Sequence, residues 1–226
     1  MSKLKIYDVK WTSTTAGPSP DDNRRTEIFL WGCNSAAEGF ACEGCFNPKL
    51  WVSSPDAIKF DPEGVANNIA KHAPNKYVTI VGGEPLDQIE ALSELCQALK
   101  SHGFHIILFT HWTLKEIMAY DTVIHAEEAR KLFHNIDILI DGRYDKKRRI
   151  YDEASEDGLH DAVGSANQII WDFQDWNEKS KHGTVEYAIR GMEADTLAGL
   201  YVDPEGGLHY ITKDDDAEYM LAQHVA

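Results

Sequence analysis

The 226 residues carry 37 acidic against 22 basic side chains, a net charge of −15, and are 43% hydrophobic. That supports one full core rather than several, and the acidic balance argues against a nucleic-acid partner, because phosphate binding needs clustered Lys and Arg. No apolar run approaches the roughly 20 residues that cross a bilayer, and the N-terminus lacks the apolar stretch of a secretory signal, so a cytoplasmic protein with no membrane partner is expected.

Residues 26–31 are apolar and β-prone, and they run directly into a loop that places Cys33, Cys42 and Cys45 within thirteen residues. Asp61-Pro62 reads as an N-cap followed by proline at the first helical position, opening a helix to about His72. A β-type run at 77–81 ends in Gly82-Gly83-Glu84-Pro85, where a backbone can approach a small ligand. Residues 90–101 form an amphipathic helix with Leu92, Leu95, Cys96 and Leu99 on one face. A strand at 105–109, a short helix capped by Thr113, a helix at 127–133 and a strand at 136–140 follow.

Strand alternating with helix is the pattern of an α/β fold with a parallel sheet wrapped by helices. Ligands gather at the carboxyl ends of such strands, and Cys33, Gly82 to Glu84, Thr110 and Asp141 all lie at one. Beyond them, 144–160 turns polar and reads as a mobile connection, its Lys146-Lys147-Arg148-Arg149 cluster a solvated loop. Residues 177–183 read as a linker, and Leu200-Tyr201-Val202 with His209-Tyr210-Ile211 as a hairpin around 203–207. The expected division is a core of 1–175 and an extension of 176–226 holding that hairpin and a short helix.

In a reducing compartment four cysteines are ligands or free thiols rather than disulfides. Four thiolates could close a structural zinc site, and the two-residue spacing of Cys42 and Cys45 suits one. Cys96, however, sits in the apolar face of a helix, where a thiol behaves as a small hydrophobe. Three ligands on one loop can instead hold a [4Fe–4S] cluster with one iron open to a further ligand.

Several separate segments carry a resemblance. They are Phe29-Leu30-Trp31-Gly32-Cys33, Cys42-Glu43-Gly44-Cys45-Phe46-Asn47-Pro48, Val81-Gly82-Gly83-Glu84-Pro85-Leu86, Leu108-Phe109-Thr110, Asp137-Ile138-Leu139-Ile140-Asp141-Gly142-Arg143-Tyr144 and Gly164-Ser165-Ala166-Asn167-Gln168. Across roughly residues 25–171 the chain resembles the radical S-adenosylmethionine (SAM) superfamily, and within it the activating enzymes of anaerobic ribonucleotide reductase. The resemblance implies a partial (β/α)6 barrel in which Cys33, Cys42 and Cys45 hold a [4Fe–4S] cluster and SAM binds its open iron. It also implies that Gly82, Gly83 and Glu84 line the methionine moiety, that Phe46 packs near the adenine, and that Thr110 and Asp141 contact SAM or substrate.

The implied chemistry is reductive cleavage of the sulfonium C–S bond, giving methionine and a 5′-deoxyadenosyl radical that takes a hydrogen from a glycine Cα. The implied partners are the large subunit of anaerobic ribonucleotide reductase and an electron donor such as flavodoxin. The cofactor carries the difficult chemistry, so no side chain is expected as general base, and His102, His105, His111 and His134 are read as packing or surface groups.

Three departures from the family pattern stand out. Eight residues, 34–41, separate Cys33 from Cys42 where three are usual, and this small, polar insertion is expected to bulge outward. The upstream Gly-Pro-Gly survives only as Gly17-Pro18-Ser19, and Val163 replaces an arginine. Two other readings compete: a small-molecule radical SAM enzyme similar to 7-carboxy-7-deazaguanine synthase, suggested by Gly32-Cys33-Asn34 and the run from Gly82 to Gln88, and a zinc-stabilised binding module.

Overall fold

A computed structural model describes residues 2–13, 17, 24–118, 126–149, 164–173, 189–190, 197–202 and 208–212. In chain order the elements are β1 (Leu4–Ser13), β2 (Arg25–Leu30), α1 (Asn34–Ala37), β3 (Lys59–Phe60), α2 (Pro62–His72), β4 (Tyr77–Gly82) and α3 (Ile89–Ser101). They continue with β5 (His105–Phe109), α4 (Leu114–Met118), α5 (Ala126–Phe133), β6 (Ile138–Asp141), β7 (Ile169–Asp172), β8 (Ile189–Arg190), β9 (Leu197–Val202) and β10 (Leu208–Thr212).

The helices start where local chemistry directs. Asp61 Oδ2 accepts from the Gly64 N–H at 3.0 Å and Pro62 opens α2. Thr113 and Glu116 form a capping box at α4: the Glu116 N–H donates to Thr113 Oγ1 at 3.1 Å, and the Thr113 N–H to Glu116 Oε2 at 2.7 Å. The apolar stripe of α3 is fully buried, with Leu92, Leu95, Cys96 and Leu99 all at 0% exposure.

Eight strands form one sheet in the order β3-β1-β2-β4-β5-β6-β7-β8, and β9 and β10 make a separate antiparallel pair. Four strands, β2, β4, β5 and β6, run parallel, while β1 and β7 join them antiparallel on either side. The α/β class therefore holds, with four parallel strands among the described residues against the six of a (β/α)6 barrel. The flanking strand β1 has no counterpart in the elements expected from sequence.

Strand alternation gives the sheet two unlike faces. Ile28, Leu30, Val78, Ile80, Ile106, Leu108 and Leu139 join the buried residues of α2, α3 and α5 in the main core. The intervening residues Ile107, Ile138, Ile140 and Ile170 form a smaller cluster, with Phe109 packed against it, on the opposite face. At the lower end of that second face Arg25 is fully buried, its Nε donating to Thr79 Oγ1 at 2.7 Å and its Nη2 to the Val78 carbonyl at 2.6 Å. Burial lowers the Arg25 pKa to about 10, against the raising influence of Asp137 and Tyr77.

The start of the expected mobile connection is built structure. Asp145 Oδ1 accepts from the Lys147 N–H at 2.9 Å, and Arg149 bridges to Ser165. Residues 150–163, including Val163, lie outside the described residues, as do Pro18, Ser19, the linker at 177–183, the hairpin turn at 203–207 and the short C-terminal helix. Among the described residues no helix is long and apolar enough to cross a membrane.

Candidate functional site

The carboxyl ends of the four parallel strands deliver the candidate residues to one place. β2 leads into Gly32 and Cys33, β4 into Gly83 and Glu84, β5 into Thr110 and His111, and β6 ends at Asp141 before Gly142. Above them opens a cavity of about 620 Å³, whose lining includes Cys42, Cys45, Phe46, Gly82, Gly83 and Thr110. Glu84 and Asp141 are not in that lining; they are buried beside it.

The two glycines are required by backbone proximity. Gly82 has φ of +136°, and a Cβ there would lie 2.2 Å from the Leu30 carbonyl oxygen; at Gly83 it would lie 1.8 Å from the Gly32 oxygen. This closeness lets the β2–β4 ladder continue past the strands, with the Gly83 N–H donating to Leu30 O at 3.0 Å and the Glu84 N–H to Gly32 O at 2.7 Å. Gly32, the residue before Cys33, is thereby pinned to Glu84, and Leu30 to Gly83.

Glu84 is expected from the resemblance to line the methionine site, but its carboxylate is fully engaged inside the protein at 0% exposure. Oε1 accepts from the Leu86 N–H at 2.9 Å and from Thr110 Oγ1 at 2.7 Å. Oε2 accepts from the His111 N–H at 2.9 Å and pairs with His111 Nδ1 at 2.7 Å. Glu84 thus ties the ends of β4 and β5 together beneath the cavity wall.

His111, expected as a packing or surface group, is instead a member of the site. Its Nε2 lies 3.1 Å from Ser35 Oγ, and the Cys33 sulfur stands beside the ring. Burial opposes a charged imidazole, yet the hydrogen bonds and charges of Cys33 and Glu84 outweigh it and raise the pKa to about 9. Replacing Glu84 with Gln turns an acceptor into a donor facing N–H groups. The expected cost is about 1–3 kcal/mol of stability, read as a lower thermal midpoint in both the absence and the presence of SAM.

The cysteine loop folds back on the strand ends. The Gly32 and Cys33 N–H groups donate to the Leu50 and Trp51 carbonyls, both at 2.9 Å. Cys45 Sγ accepts from the Asn47 N–H and from Trp51 Nε1, each at 3.4 Å. Cluster-bound sulfurs accept hydrogen bonds of this kind from the surrounding protein. Cys33, Cys42 and Cys45 are half-buried free thiols, whereas Cys96 is buried in the core. Among the described residues no three His, Cys, Asp or Glu side chains converge as the ligands of a single ion. A structural zinc site is normally closed by four ligands, whereas the loop offers three thiols with Cys96 buried in the core, the donor set of a [4Fe–4S] cluster with one open iron.

The insertion stands outward over its second half, while its start docks against the site. Its first half forms α1, the Asn34 N–H donates to Asp87 Oδ2 at 2.6 Å, and Ala36 is buried. Residues 37–40 are all exposed, and the Phe40 carbonyl accepts from Arg143 Nη1 at 3.1 Å.

The opposite wall joins two segments that are distant in sequence. Gln168 Oε1 accepts from the Gly164 N–H at 3.0 Å, Gln168 Nε2 donates to Gly142 O at 3.0 Å, and Asn167 Nδ2 donates to Arg143 O at 2.7 Å. This clasp presents Tyr144 to Phe46, their ring centroids 4.7 Å apart, with the Arg149 guanidinium 5.8 Å from the Phe46 ring. Phe46 remains 62% exposed on the cavity side. Asp141 takes no part in the wall: Oδ2 accepts from the Leu114 N–H at 2.6 Å and Oδ1 from the Ile169 N–H at 3.3 Å. Burial raises the Asp141 carboxyl to about 6, with those N–H groups opposing.

Residues 23–171 match the family described as a 4Fe-4S single cluster domain. Among curated proteins, the chain is similar to the pyruvate formate-lyase-activating enzymes of Staphylococcus aureus strains USA300 and NCTC 8325. Each is 30% identical over 115 residues, which is 49% of this chain and 42% of the relative. The match thus spans less than half the length of those relatives.

Proposed function

The chain belongs to the 4Fe-4S single cluster domain family, and from that premise we propose that it is a radical SAM enzyme that installs a glycyl radical on a protein partner. The observation that carries this reading is the convergence of the cysteine loop, the Gly82-Gly83 backbone and Thr110 on one cavity at the carboxyl ends of four parallel strands. Similarity to a pyruvate formate-lyase-activating enzyme supports the activase class.

When bound, the cluster and SAM supply the electron transfer and the hydrogen-abstracting species. The chain's own residues do the rest. Cys33, Cys42 and Cys45 would hold the cluster, with the Asn47 N–H and Trp51 Nε1 donating to the Cys45 sulfur. Gly82 and Gly83 leave room against the β2 backbone for the methionine end of SAM. Phe46, backed by Tyr144, offers a ring face to the adenine. Thr110 lines the cavity while donating its hydroxyl to Glu84. Glu84 and Asp141 act through the strand ends they organise rather than by direct contact. Residues 1–175 form the catalytic core in this proposal, and 176–226 an extension to it.

The target on this reading is the large subunit of anaerobic ribonucleotide reductase, with an electron donor such as flavodoxin. The supporting observation is the clasp between residues 142–143 and 164–168, the two segments that carry the closer resemblance. The relatives' name favours a second target, pyruvate formate-lyase. Anaerobically reconstituted protein, SAM and reductant are mixed with each candidate. A glycyl-radical EPR doublet on the reductase, with 5′-deoxyadenosine formed, is the expected result. A doublet on pyruvate formate-lyase alone would select the second target, and SAM turnover with no doublet on either would end the activase reading.

A further inference from the structure

Cys33 is the N-cap residue of α1, in extended backbone with φ of −149° and ψ of 100°. An N-cap side chain ordinarily accepts from one of the first helical N–H groups, which have no partner inside the helix. The Cys33 side chain makes no such bond, so its sulfur is left for another role. The acceptor comes instead from the turn that follows Glu84, where Asp87 Oδ2 takes the Asn34 N–H at 2.6 Å. One residue further on, Ser35 Oγ lies 3.1 Å from His111 Nε2.

With that bond every main-chain polar group from Gly32 to Asn34 is paired. The Gly32 and Cys33 N–H groups donate to Leu50 and Trp51, the Gly32 carbonyl accepts from Glu84, and the Cys33 and Asn34 carbonyls accept from the N–H groups of Ala37 at 3.0 Å and Glu38 at 2.9 Å. Such fixing is needed here, because eight intervening residues let Cys42 and Cys45 constrain Cys33 less than a spacing of three would. Asp87 is also held at a cost. Burial raises its carboxyl to about 6, with the Asn34 N–H opposing and the Glu84 charge adding to the rise.

We propose, resting on the reading above of Cys33 as a cluster ligand, that Asp87 is a positioning residue for the cluster: it caps α1 from outside, fixes the Cys33 backbone and leaves the Cys33 sulfur free for iron. The contact between Ser35 and His111 is a second tie. His111 is itself fixed through Nδ1, 2.7 Å from Glu84 Oε2, so both ties return to the turn at the end of β4. A residue that only stabilised the fold would support the empty and the loaded protein alike. One that presets a ligand stabilises the loaded protein more.

The test compares the full-length parent with Asp87→Ala, Asp87→Asn and Ser35→Ala after anaerobic reconstitution, reading iron release to EDTA, the EPR spectrum of the reduced cluster, and thermal midpoints of empty and loaded protein. Asp87→Ala is expected to release iron roughly 10- to 100-fold faster than the parent, with an altered EPR line shape. The gap between its loaded and empty midpoints should shrink, while the empty midpoint stays near the parent's. Asp87→Asn keeps a carbonyl oxygen for the Asn34 N–H and should release iron within about threefold of the parent rate. Ser35→Ala, which leaves the Asp87 bond in place, should release it about 2- to 10-fold faster. The proposal is overturned if Asp87→Ala keeps the parent rate, if it lowers both midpoints equally, or if Asp87→Asn fails as badly as Asp87→Ala. If the parent takes up no iron–sulfur cluster, or Cys33→Ala retains a full one, the ligand reading fails and the role of Asp87 falls with it. That failure shows in the parent or the Cys33 variant, whereas failure of the Asp87 role alone shows only in the Asp87 variants.

Discussion

Single replacement of Cys33, Cys42 or Cys45 by Ala is expected to leave reconstituted protein without a stable cluster and without SAM cleavage, while Cys96→Ala keeps both. The three loop thiols are half-buried, Cys42 and Cys45 line the cavity, and Cys45 already receives two N–H donors. The fourth cysteine cannot replace a lost thiolate, because Cys96 is fully buried in the core among Leu92, Leu95 and Leu99. Burial pushes its thiol far above the ordinary range, so it is a poor ligand as well as a distant one. Cys96→Ala should cost about 1–2 kcal/mol through the small cavity it opens. Iron and sulfide analysis after anaerobic reconstitution, with 5′-deoxyadenosine as the second readout, decides the matter. Full iron in any loop variant, or iron lost from folded Cys96→Ala, would disprove the ligand set.

Gly83→Ala should have an effect of similar size by a different route. Overpacking that side chains can absorb costs about 1–3 kcal/mol. Here the added methyl would meet the Gly32 carbonyl oxygen at 1.8 Å and the Gly32 nitrogen at 3.1 Å, both main-chain atoms. Relief requires the end of β2 to move, and Cys33 moves with it. The Glu84 N–H to Gly32 O hydrogen bond of 2.7 Å would also be lost. The expected outcome is a lower thermal midpoint together with cluster loading well below the parent level. Gly64→Ala is the contrast: its added Cβ would sit 3.6 Å from Asp61 Oδ2 in ordinary contact within α2. Helix propensity then predicts a gain of about 0.5–1 kcal/mol with cluster loading retained. Equal behaviour of the two variants would refute the close-approach argument.

Local patterns proved reliable where the physics is local. The Asp61-Pro62 start, the Thr113 cap and the α3 stripe all depend on residues within a turn or two of one another. β1 escaped because its alternation is interrupted: the register shifts between Ile6 and Asp8 and again between Lys10 and Ser13, and most of its residues are partly exposed. Its Leu4-x-Ile6 start was the available signal. The 34–41 insertion was only half anticipated, because one end of a small polar segment can dock while the rest protrudes. What docked it was Asp87 and His111, residues from two other strand ends.

By itself the sequence determined the strand and helix periods, the three-cysteine loop, and the glycine pair at the end of β4, because each is written in spacing and residue type. Only the tertiary structure decided what the carboxylates do. Glu84 and Asp141 sit at strand ends like ligand-binding groups, yet N–H donors from neighbouring elements consume them. An acceptor is available to a ligand only if the protein leaves it unsatisfied. That depends on donors 26 to 28 residues away for Glu84 and Asp141, brought close by sheet pairing that no local pattern encodes.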